Sequence, residues 1–207
     1  MEPQKLQTIT EWSGGKLILG DKSGMVSGIS TDSRSVRPGE LFLALAGERF
    51  DGHDFIDTAL NNGASGVIVS RSPGKYKDRR PGRDLILVAD TLRALKNIAR
   101  GYRLLFDIKA IAVTGSNGKT TTKNFIAQLL GTEMEVLAAP ASYNNEIGVS
   151  LTVLKLSPEH RAAVFELGMN RPGEIRELAE ICRPRIAVIT NIGQAHIGLL
   201  GSMEAIS

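Results

Sequence analysis

One short segment constrains the fold of this 207-residue chain more than any other. The apolar residues 110–113 predict a buried strand, and they run directly into Thr-Gly-Ser-Asn-Gly-Lys-Thr-Thr at residues 114–121. Residues 119–130 then have the pattern of a helix. A buried strand that passes through a glycine-bearing turn into a helix is the order found in α/β proteins that bind phosphate groups. The segment therefore predicts a sheet with helices packed on it.

The residue types in the turn suit a nucleotide. Gly115 and Gly118 let the backbone approach phosphate oxygens, and the N–H groups at the start of the helix favour an anion. Lys119 is placed to reach the terminal phosphates, and Thr120 to offer its hydroxyl to Mg²⁺. The plain alternative is a glycine turn with a surface lysine. The predicted nucleotide-binding residues are Gly115, Ser116, Asn117, Gly118, Lys119, Thr120 and Thr121.

Strands and helices are predicted to alternate along the rest of the chain. Strands are predicted at residues 41–46, 66–69, 85–88, 110–113, 135–138, 162–167 and 186–190, and helices at 54–62, 119–130, 146–154 and 172–181. A further helix begins after its cap, Asp90, with Leu92, Leu95, Ala99, Tyr102 and Leu105 on its apolar face. The hydrophilic residues 71–83 predict an exposed loop.

The predicted strands are continuous apolar runs, as expected where helices cover both faces of a parallel sheet. The expected fold class is therefore α/β. A small N-terminal α/β domain is predicted at residues 1–107. An incomplete central domain with a mainly parallel sheet and the phosphate-binding turn is predicted at residues 108–207.

Charge and cysteine content exclude several classes. The 25 basic and 22 acidic side chains are spread along the chain, so nucleic-acid binding is not implied. The single cysteine, Cys182, excludes an internal disulfide and a cysteine-based zinc cluster, and it is expected to be a small buried helix residue. The chain lacks a signal-peptide pattern and a run of roughly 20 apolar residues, so a cytoplasmic location is expected.

Three further features have two interpretations each. Glu166 ends an apolar strand, and a buried carboxylate needs a partner, which a metal ion or a structural salt bridge would both supply. His196 follows the strand at residues 186–190, where a lone histidine is more often a loop or core residue than a ligand. Asp32, Ser33 and Arg34 either form a capped turn with a solvated arginine or contact a ligand.

The glycine turn departs from the general P-loop pattern, because Val113 stands where the pattern has its first glycine. This variant resembles the P-loop of the Mur ligases and their folate-polyglutamate relatives. Residues 143–149 (Tyr-Asn-Asn-Glu-Ile-Gly-Val), 165–168 (Phe-Glu-Leu-Gly) and 190–196 (Thr-Asn-Ile-Gly-Gln-Ala-His) look like later family segments, in the family's order.

Upstream segments are similar to the N-terminal domain that holds the UDP moiety in the members adding lysine, diaminopimelate or D-alanyl-D-alanine. These segments are Ser-Thr-Asp-Ser-Arg at residues 30–34, Gly-Glu-Leu-Phe at 39–42 and Gly-Glu-Arg-Phe-Asp-Gly-His at 47–53. Residues 166–175 look most like the members that add D-alanyl-D-alanine. The resemblance covers nearly the whole chain.

The resemblance implies an ATP-dependent, ADP-forming ligase of peptidoglycan precursor synthesis. ATP would phosphorylate the terminal carboxylate of a UDP-N-acetylmuramoyl peptide, and the amine of D-alanyl-D-alanine would displace phosphate from the acyl phosphate. Lys119 would hold the β and γ phosphates, Thr120 and Glu166 would ligate one Mg²⁺, and His196 would lie at a second metal ion. The implied catalytic residues are thus Lys119, Glu166 and His196, with ATP and Mg²⁺ as cofactors.

Substrate contacts are also implied by the resemblance. The matching positions are Ser33, Glu48, Arg49 and Phe50 for the uridine, and Asn144 and Asn145 near the phosphates and the muramoyl peptide. Gly198 departs from relatives that often carry a polar side chain there. A diaminopimelate- or lysine-adding ligase, a folate-polyglutamate or cyanophycin-type ligase, and a non-catalytic nucleotide-binding module stay open as alternatives.

Family members continue well beyond this length, so the chain is expected to be an N-terminal fragment that is inactive or incomplete as an enzyme. The family's carbamylated lysine would fall past Ser207. The half-built sheet would expose a strand edge and is expected to lower the stability of the isolated chain. A monomeric full-length enzyme without nucleic-acid or membrane partners is expected.

Overall fold

The computed structural model describes residues 1–47, 50–71 and 82–193. The chain divides into two compact units, Met1–Ile98 and Ala99–Ser207. Most of the predicted loop at residues 71–83 lies outside the described residues, as do Glu48, Arg49, His196 and Gly198. The domain limits at 1–107 and 108–207 stay a prediction. Among the described residues, none of the helices combines the length and hydrophobicity that a membrane span requires.

The first unit alternates strands and helices. Its elements are β1 (Gln4–Lys5), α1 (Leu6–Ser13), β2 (Lys16–Leu19), β3 (Met25–Val26), β4 (Gly28–Ser30), β5 (Glu40–Leu43), a 3₁₀ turn (Gly52–Phe55), α2 (Ile56–Asn61), β6 (Gly66–Val69), β7 (Asp84–Leu87) and α3 (Thr91–Arg103). The predicted strand at residues 66–69 is confirmed, and its neighbours differ from the predicted limits by one to three residues. The division between the units falls inside α3, after Ile98.

A five-stranded sheet in the order β2-β7-β6-β5-β4 organises this unit. The pairs of β4 with β5, β5 with β6 and β6 with β7 are parallel, and β2 is antiparallel to β7. Val67 on the central strand lies opposite both Phe42 and Leu85. The continuous apolar runs of β5 and β6 are buried, as expected for strands covered on both faces.

The predicted helix at residues 54–62 is a 3₁₀ turn followed by a short α-helix. Asp51 caps the turn, since its Oδ1 accepts a hydrogen bond of 2.9 Å from the backbone N–H of His53. The tighter turn changes the phase of the side chains. Ile56 and Ala59 are therefore buried as predicted, whereas Phe55 is 37% exposed, which corrects its placement on the buried face.

The second unit carries four described strands in one parallel sheet, in the order β11-β8-β10-β9. Its further elements are β8 (Lys109–Thr114), α4 (Lys119–Gly131), β9 (Val136–Ala138), α5 (Glu146–Val153), β10 (Ala162–Glu166), α6 (Glu174–Cys182) and β11 (Ile186–Ile189). Val113 lies opposite both Glu166 and Val188. The carboxyl ends of β8, β10 and β11 therefore meet at one edge of the sheet. Mainly parallel sheets in both units confirm the predicted α/β class.

Helix α3 joins the core of the second unit through its last turn. Asp90 caps the helix as predicted, because its Oδ1 accepts from the backbone N–H of Arg93 at 2.8 Å. Tyr102 is completely buried, and its hydroxyl donates a 2.7 Å hydrogen bond to the carbonyl of Leu156. Leu105, which was predicted on the apolar face, lies beyond the end of the helix and is 53% exposed.

The hydroxyl of Tyr102 provides a test of this packing. Replacing Tyr102 by Phe leaves the buried carbonyl of Leu156 without this donor, and we expect the unfolding free energy to fall by about 1–2 kcal/mol. Urea denaturation of both proteins measures the difference. The matched control is Tyr143→Phe, since the Tyr143 side chain is partly exposed, and it is expected to stay within about 0.5 kcal/mol. Equal stabilities of Tyr102→Phe and the parent would contradict the hydrogen bond from Tyr102 to the carbonyl of Leu156.

Cys182 ends α6 and is buried, as predicted. Burial raises the pKa of its thiol to about 12, so the thiol is protonated at neutral pH. We expect an aromatic disulfide reagent at pH 8 to modify Cys182 only after unfolding in urea, because the thiolate is the reactive form. Absorbance at equal reagent concentrations measures the rate of modification for the native chain and for the chain unfolded in urea. Rapid modification of the native chain would show that the thiol is accessible.

Candidate active site

Two left-handed glycines shape the loop between β8 and α4. Gly115 has φ +129° and Gly118 has φ +80°, values that side-chain-bearing residues rarely adopt. Gly118 is also the N-cap of α4, and it has no side chain with which to cap the helix. The first backbone N–H groups of α4 are consequently available to an anion.

The residues that follow β11 hold this loop in place. Asn191 accepts from the backbone N–H of Ser116 through its carbonyl, at 3.0 Å, and from that of Asn117 through its side chain, at 2.9 Å. The hydroxyl of Ser116 exchanges two hydrogen bonds with the backbone of Gly193. The hydroxyl of Thr190 donates to the carbonyl of Asn117 at 2.6 Å. The N–H groups of Ser116 and Asn117 are thus occupied within the protein, which the sequence did not predict.

Lys119 lies over the same loop, and its contact with phosphates stays a prediction. Its ammonium group donates to the carbonyl of Gly115 at 2.6 Å and to that of Ser116 at 3.2 Å. Thr120 and Thr121, the next residues of α4, are exposed. Lysine, hydroxyl groups and the start of a helix therefore converge at the carboxyl edge of the sheet.

Glu166 lies at this edge and is almost fully buried, with 2% of its surface exposed. The hydroxyl of Thr120 donates to its Oε2 at 2.8 Å, and the side-chain amide of Asn144 donates to its Oε1 at 3.0 Å. Both donors are neutral. No lysine or arginine in the described part of the chain forms an ion pair with this carboxylate. The structural salt bridge considered from the sequence is therefore not seen among these residues.

A buried carboxylate with neutral partners fits a bound cation. The cluster offers the carboxylate of Glu166 and the hydroxyl of Thr120, oxygen donors of the kind that Mg²⁺ prefers. Residues 1–47, 50–71 and 82–193 contain no group of three or more His, Cys, Asp or Glu side chains placed to hold a metal. Two protein oxygens completed by water molecules would suit Mg²⁺, which usually keeps several water ligands.

The two neighbouring asparagines have different surroundings. Besides its contact with Glu166, Asn144 accepts a 2.8 Å hydrogen bond from the N–H of Gly168 through its carbonyl. Asn145 is the N-cap of α5, where its side chain accepts from the N–H of Gly148 at 2.9 Å. Only Asn144 is therefore brought to the carboxylate.

Glu174, the first residue of α6, orders the segment that follows Glu166. Its buried carboxylate accepts from the backbone N–H groups of Asn170, at 2.7 Å, and Arg171, at 3.3 Å. Arg171 in turn forms two hydrogen bonds of 2.8 Å with Glu177, and these raise the pKa of its guanidinium. The segment predicted to distinguish members of the family is fixed by local carboxylates.

In the first unit, residues 32–34 form the capped turn that the sequence allowed. Asp32 accepts from the backbone and side chain of Arg34, and the side-chain hydrogen bonds contribute most to lowering the pKa of Asp32 to about 2. The side chain of Arg34 is 84% exposed. Ser33 is buried, and its carbonyl accepts from the side chain of Asn62 at 2.9 Å. Its contact with uridine stays a prediction.

Phe50 is exposed and stacks on Phe55, with ring centroids 4.7 Å apart. Three residues further along the chain, His53 is buried, which the sequence did not predict. Its Nδ1 lies 2.6 Å from Asp51, and its Nε2 accepts from the N–H of Ser70 at 3.0 Å. Because Nε2 accepts, Nδ1 is the ring nitrogen that donates to Asp51. These contacts hold the chain immediately after Phe50.

Together, the fold and the site define a two-unit α/β protein with a P-loop-type turn beside a buried acidic strand end. Two family models match the chain: "Mur ligase family, catalytic domain" at residues 25–103 and "Mur ligase middle domain" at residues 113–207. The chain belongs to the Mur ligase family.

Curated relatives of this chain include UDP-N-acetylmuramoyl-tripeptide–D-alanyl-D-alanine ligases. The chain is 50% identical to the Synechocystis enzyme over 182 residues, covering 88% of this chain and 39% of the relative. It is 43% identical to the Bacillus subtilis enzyme, with the same coverage. The Escherichia coli enzyme is 36% identical, covering 98% of this chain and 43% of the relative. The chain thus spans less than half the length of these relatives.

Solved structures agree with this assignment. MurF from Acinetobacter baumannii matches all of this chain and 45% of its own, with a TM-score of 0.91 and 36% identity. MurF ligase from Thermotoga maritima in complex with ADP matches 86% of this chain and 40% of its own, with a TM-score of 0.76 and 37% identity. The fold of both units is therefore that of the corresponding part of MurF structures.

The contact between the loop and the segment after β11 can be tested at Gly115. A Cβ at this position would overlap the hydroxyl of Thr190, and the residue would keep a positive φ. We expect Gly115→Ala to lower the unfolding free energy by about 1–3 kcal/mol. The control is Gly131→Ala, because a Cβ there meets nothing within 4 Å and φ is not positive. Melting curves that leave Gly115→Ala as stable as Gly131→Ala would contradict the described loop.

Proposed function

We propose that this chain supplies the UDP-substrate-binding and ATP-binding parts of a ligase that adds D-alanyl-D-alanine to UDP-N-acetylmuramoyl tripeptide. The names of the curated relatives at 36–50% identity support this activity. A cytoplasmic location and a monomeric enzyme are part of the same proposal. The observation that carries it furthest is the buried Glu166 held between Thr120 and Asn144 beside the loop of Lys119.

Lys119 and the start of α4 would bind the phosphates of ATP. The two carbonyls that now hold the ammonium are backbone groups of the loop, and phosphate oxygens are stronger acceptors for it because they are charged. Since the N–H groups of Ser116 and Asn117 are bonded to Asn191, the N–H groups that begin α4 are the ones left for the anion. The ADP-bound relative from Thermotoga maritima supports a nucleotide at this fold.

Thr120 and Glu166 would hold Mg²⁺, which neutralises charge on the phosphoryl oxygens. The amide of Asn144 would keep the carboxylate oriented toward the ion. His196, outside the described residues, is proposed for a second metal ion on the family resemblance. These residues complete the proposed catalytic set of Lys119, Glu166 and His196.

The proposed reaction has two steps. The terminal carboxylate of the tripeptide attacks the γ-phosphorus of ATP, so that an acyl phosphate forms and ADP leaves. The amine of D-alanyl-D-alanine then attacks the acyl carbon, and inorganic phosphate leaves as the amide bond forms and the amine loses a proton. Negative charge develops on phosphoryl oxygens in the first step, which is where Lys119 acts.

In the first unit, the uridine would lie near Ser33 and the exposed ring of Phe50. A planar ring can stack on the exposed pair formed by Phe50 and Phe55. Glu48 and Arg49, outside the described residues, are proposed as further uridine contacts on the family resemblance alone. The ion pair of Asp51 with Arg71 and the contacts of His53 would keep the pair formed by Phe50 and Phe55 in position.

Nucleotide binding tests the part of the proposal that this chain can perform by itself. We expect Lys119→Met to weaken ATP binding at least tenfold, because it removes the cation nearest the phosphates. We expect Glu166→Gln to abolish most of the strengthening of ATP binding by Mg²⁺. Isothermal titration with and without Mg²⁺ measures both. Lys109→Met removes an exposed charge from the same unit and is expected to bind like the parent. Unchanged affinity in Lys119→Met would refute the proposed phosphate site.

Acceptor specificity tests the activity. Phosphate release is measured with Mg-ATP and UDP-N-acetylmuramoyl tripeptide, for this chain and for a form extended to the length of the relatives. We expect the extended form to release phosphate with D-alanyl-D-alanine, and neither form to do so with L-lysine or diaminopimelate. Turnover with a single amino acid in place of the dipeptide would reassign the ligase to another member of the family.

A further inference from the structure

A second charged side chain in the second unit is as deeply buried as Glu166. Lys123 on α4 is 2% exposed, and its ammonium donates a 2.6 Å hydrogen bond to the carbonyl of Ala139. Lysine is almost never fully buried unless its charge is compensated, because removing an ammonium from water is costly. A surface lysine would avoid this cost, so the buried position requires an explanation.

Lys123 stands one helical turn beyond Lys119 and Thr120, the residues of α4 that are proposed to hold the phosphates and Mg²⁺. Lys119 is four residues before it and Thr120 three, spacings that place side chains on neighbouring parts of a helix surface. The ammonium of Lys123 is bonded to Ala139, so it is not a phosphate ligand in this arrangement. Lys123 can therefore affect the proposed nucleotide site only through Ala139, the residue whose carbonyl it holds.

Ala139 is the first residue after β9, and its N–H donates to the carbonyl of Val164 on β10 at 3.0 Å. Its carbonyl is the group held by Lys123. Ala139 is therefore attached to the sheet on one side and to α4 on the other. From this point residues 139–145 run to Asn144, which contacts Glu166, and to the cap of α5.

Glu166 is held by donors from two different elements. Thr120 comes from α4, whereas Asn144 comes from the segment after β9. The carboxylate can accept from both only if the segment keeps a fixed position relative to the helix. The hydrogen bond from Lys123 to Ala139 supplies such a connection, independently of Glu166 itself.

We propose that Lys123 is a positioning residue that ties the segment of residues 139–145 to α4, so that Asn144 and Thr120 meet Glu166 together. The role for Mg²⁺ and nucleotide rests on the function proposed above. A charge-assisted hydrogen bond is strong and directional, which suits this task. An apolar side chain of similar volume would fill the space but leave the carbonyl of Ala139 without this donor.

A purely structural role would change stability alone and leave the contact between Asn144 and Glu166 in place. Lys123→Met removes the cost of burying an ammonium group but leaves the carbonyl of Ala139 without its donor, so its two effects on the unfolding free energy oppose each other. The melting temperature therefore does not distinguish the two roles, whereas the contact of Asn144 does. Lys123→Gln keeps an N–H donor without the charge and serves as the second variant.

The first measurement needs no ligand. In ¹H–¹⁵N spectra of the chain, the side-chain amide signals of Asn144, assigned through Asn144→Ala, report its contact with Glu166. We expect Lys123→Met to move these signals toward the positions of a free asparagine, and Lys123→Gln to move them less. Lys109→Met, an exposed lysine of the same unit, is expected to leave them in place. Unmoved Asn144 signals in both folded Lys123 variants would overturn the proposal.

The second measurement is ADP affinity by titration calorimetry with and without Mg²⁺. We expect Lys123→Met to reduce the strengthening by Mg²⁺ five- to tenfold and to leave Mg²⁺-free affinity within twofold. The double variant with Asn144→Ala is expected to be no worse than Asn144→Ala alone, because both act through one contact. The positioning role would be overturned if the effects of the two substitutions multiply in the double variant. It would also be overturned if Lys123→Met loses ADP affinity equally with and without Mg²⁺. A parent chain that binds no ADP would instead refute the proposed function, and the spectra would still decide the role of Lys123.

Discussion

The parallel pairing of β8 with β10 and β11 is the interaction on which the rest of the second unit depends. Val113 lies opposite both Glu166 and Val188, so three strand ends reach the same edge of the sheet. The glycine loop, the acidic strand end and the segment beginning at Thr190 are therefore neighbours although they are far apart in the chain. The loop then takes its shape from hydrogen bonds to Asn191 and Gly193 rather than from its own residues alone.

Two buried charges of the second unit cost stability, and the proposed function explains why both are present. Glu166 accepts only from neutral donors among the described residues, and Lys123 donates to a backbone carbonyl. A hydrophobic residue at either position would avoid the cost of burying charge. The carboxylate is suited to a hydrated cation, and the lysine holds a segment that orients the carboxylate. The site is thus organised by contacts between α4, the segment after β9 and the end of β10.

Sequence patterns predicted the long, continuous apolar strands and the amphipathic helices, because burial on both faces leaves a clear signal. They did not predict the elements before residue 40. Strands β1 and β3 have two residues each, too few to show a period, and α1 begins with N–H groups of Leu6 and Gln7 bonded to the carbonyls of Gly24 and Lys22. Elements completed by distant backbone groups carry little local signal.

By itself, the sequence determined the α/β class, the family, and the presence of Lys119, Thr120 and Glu166 at strand and helix ends, since local order and residue type suffice for these features. Only the tertiary structure decided which residues meet. Asn144 contacts the carboxylate while Asn145 caps a helix, and Lys123 is buried although its neighbours in sequence are polar. The physical reason is that hydrogen-bond partners and burial depend on elements brought together by the sheet, and adjacent residues of one type are indistinguishable until that packing exists.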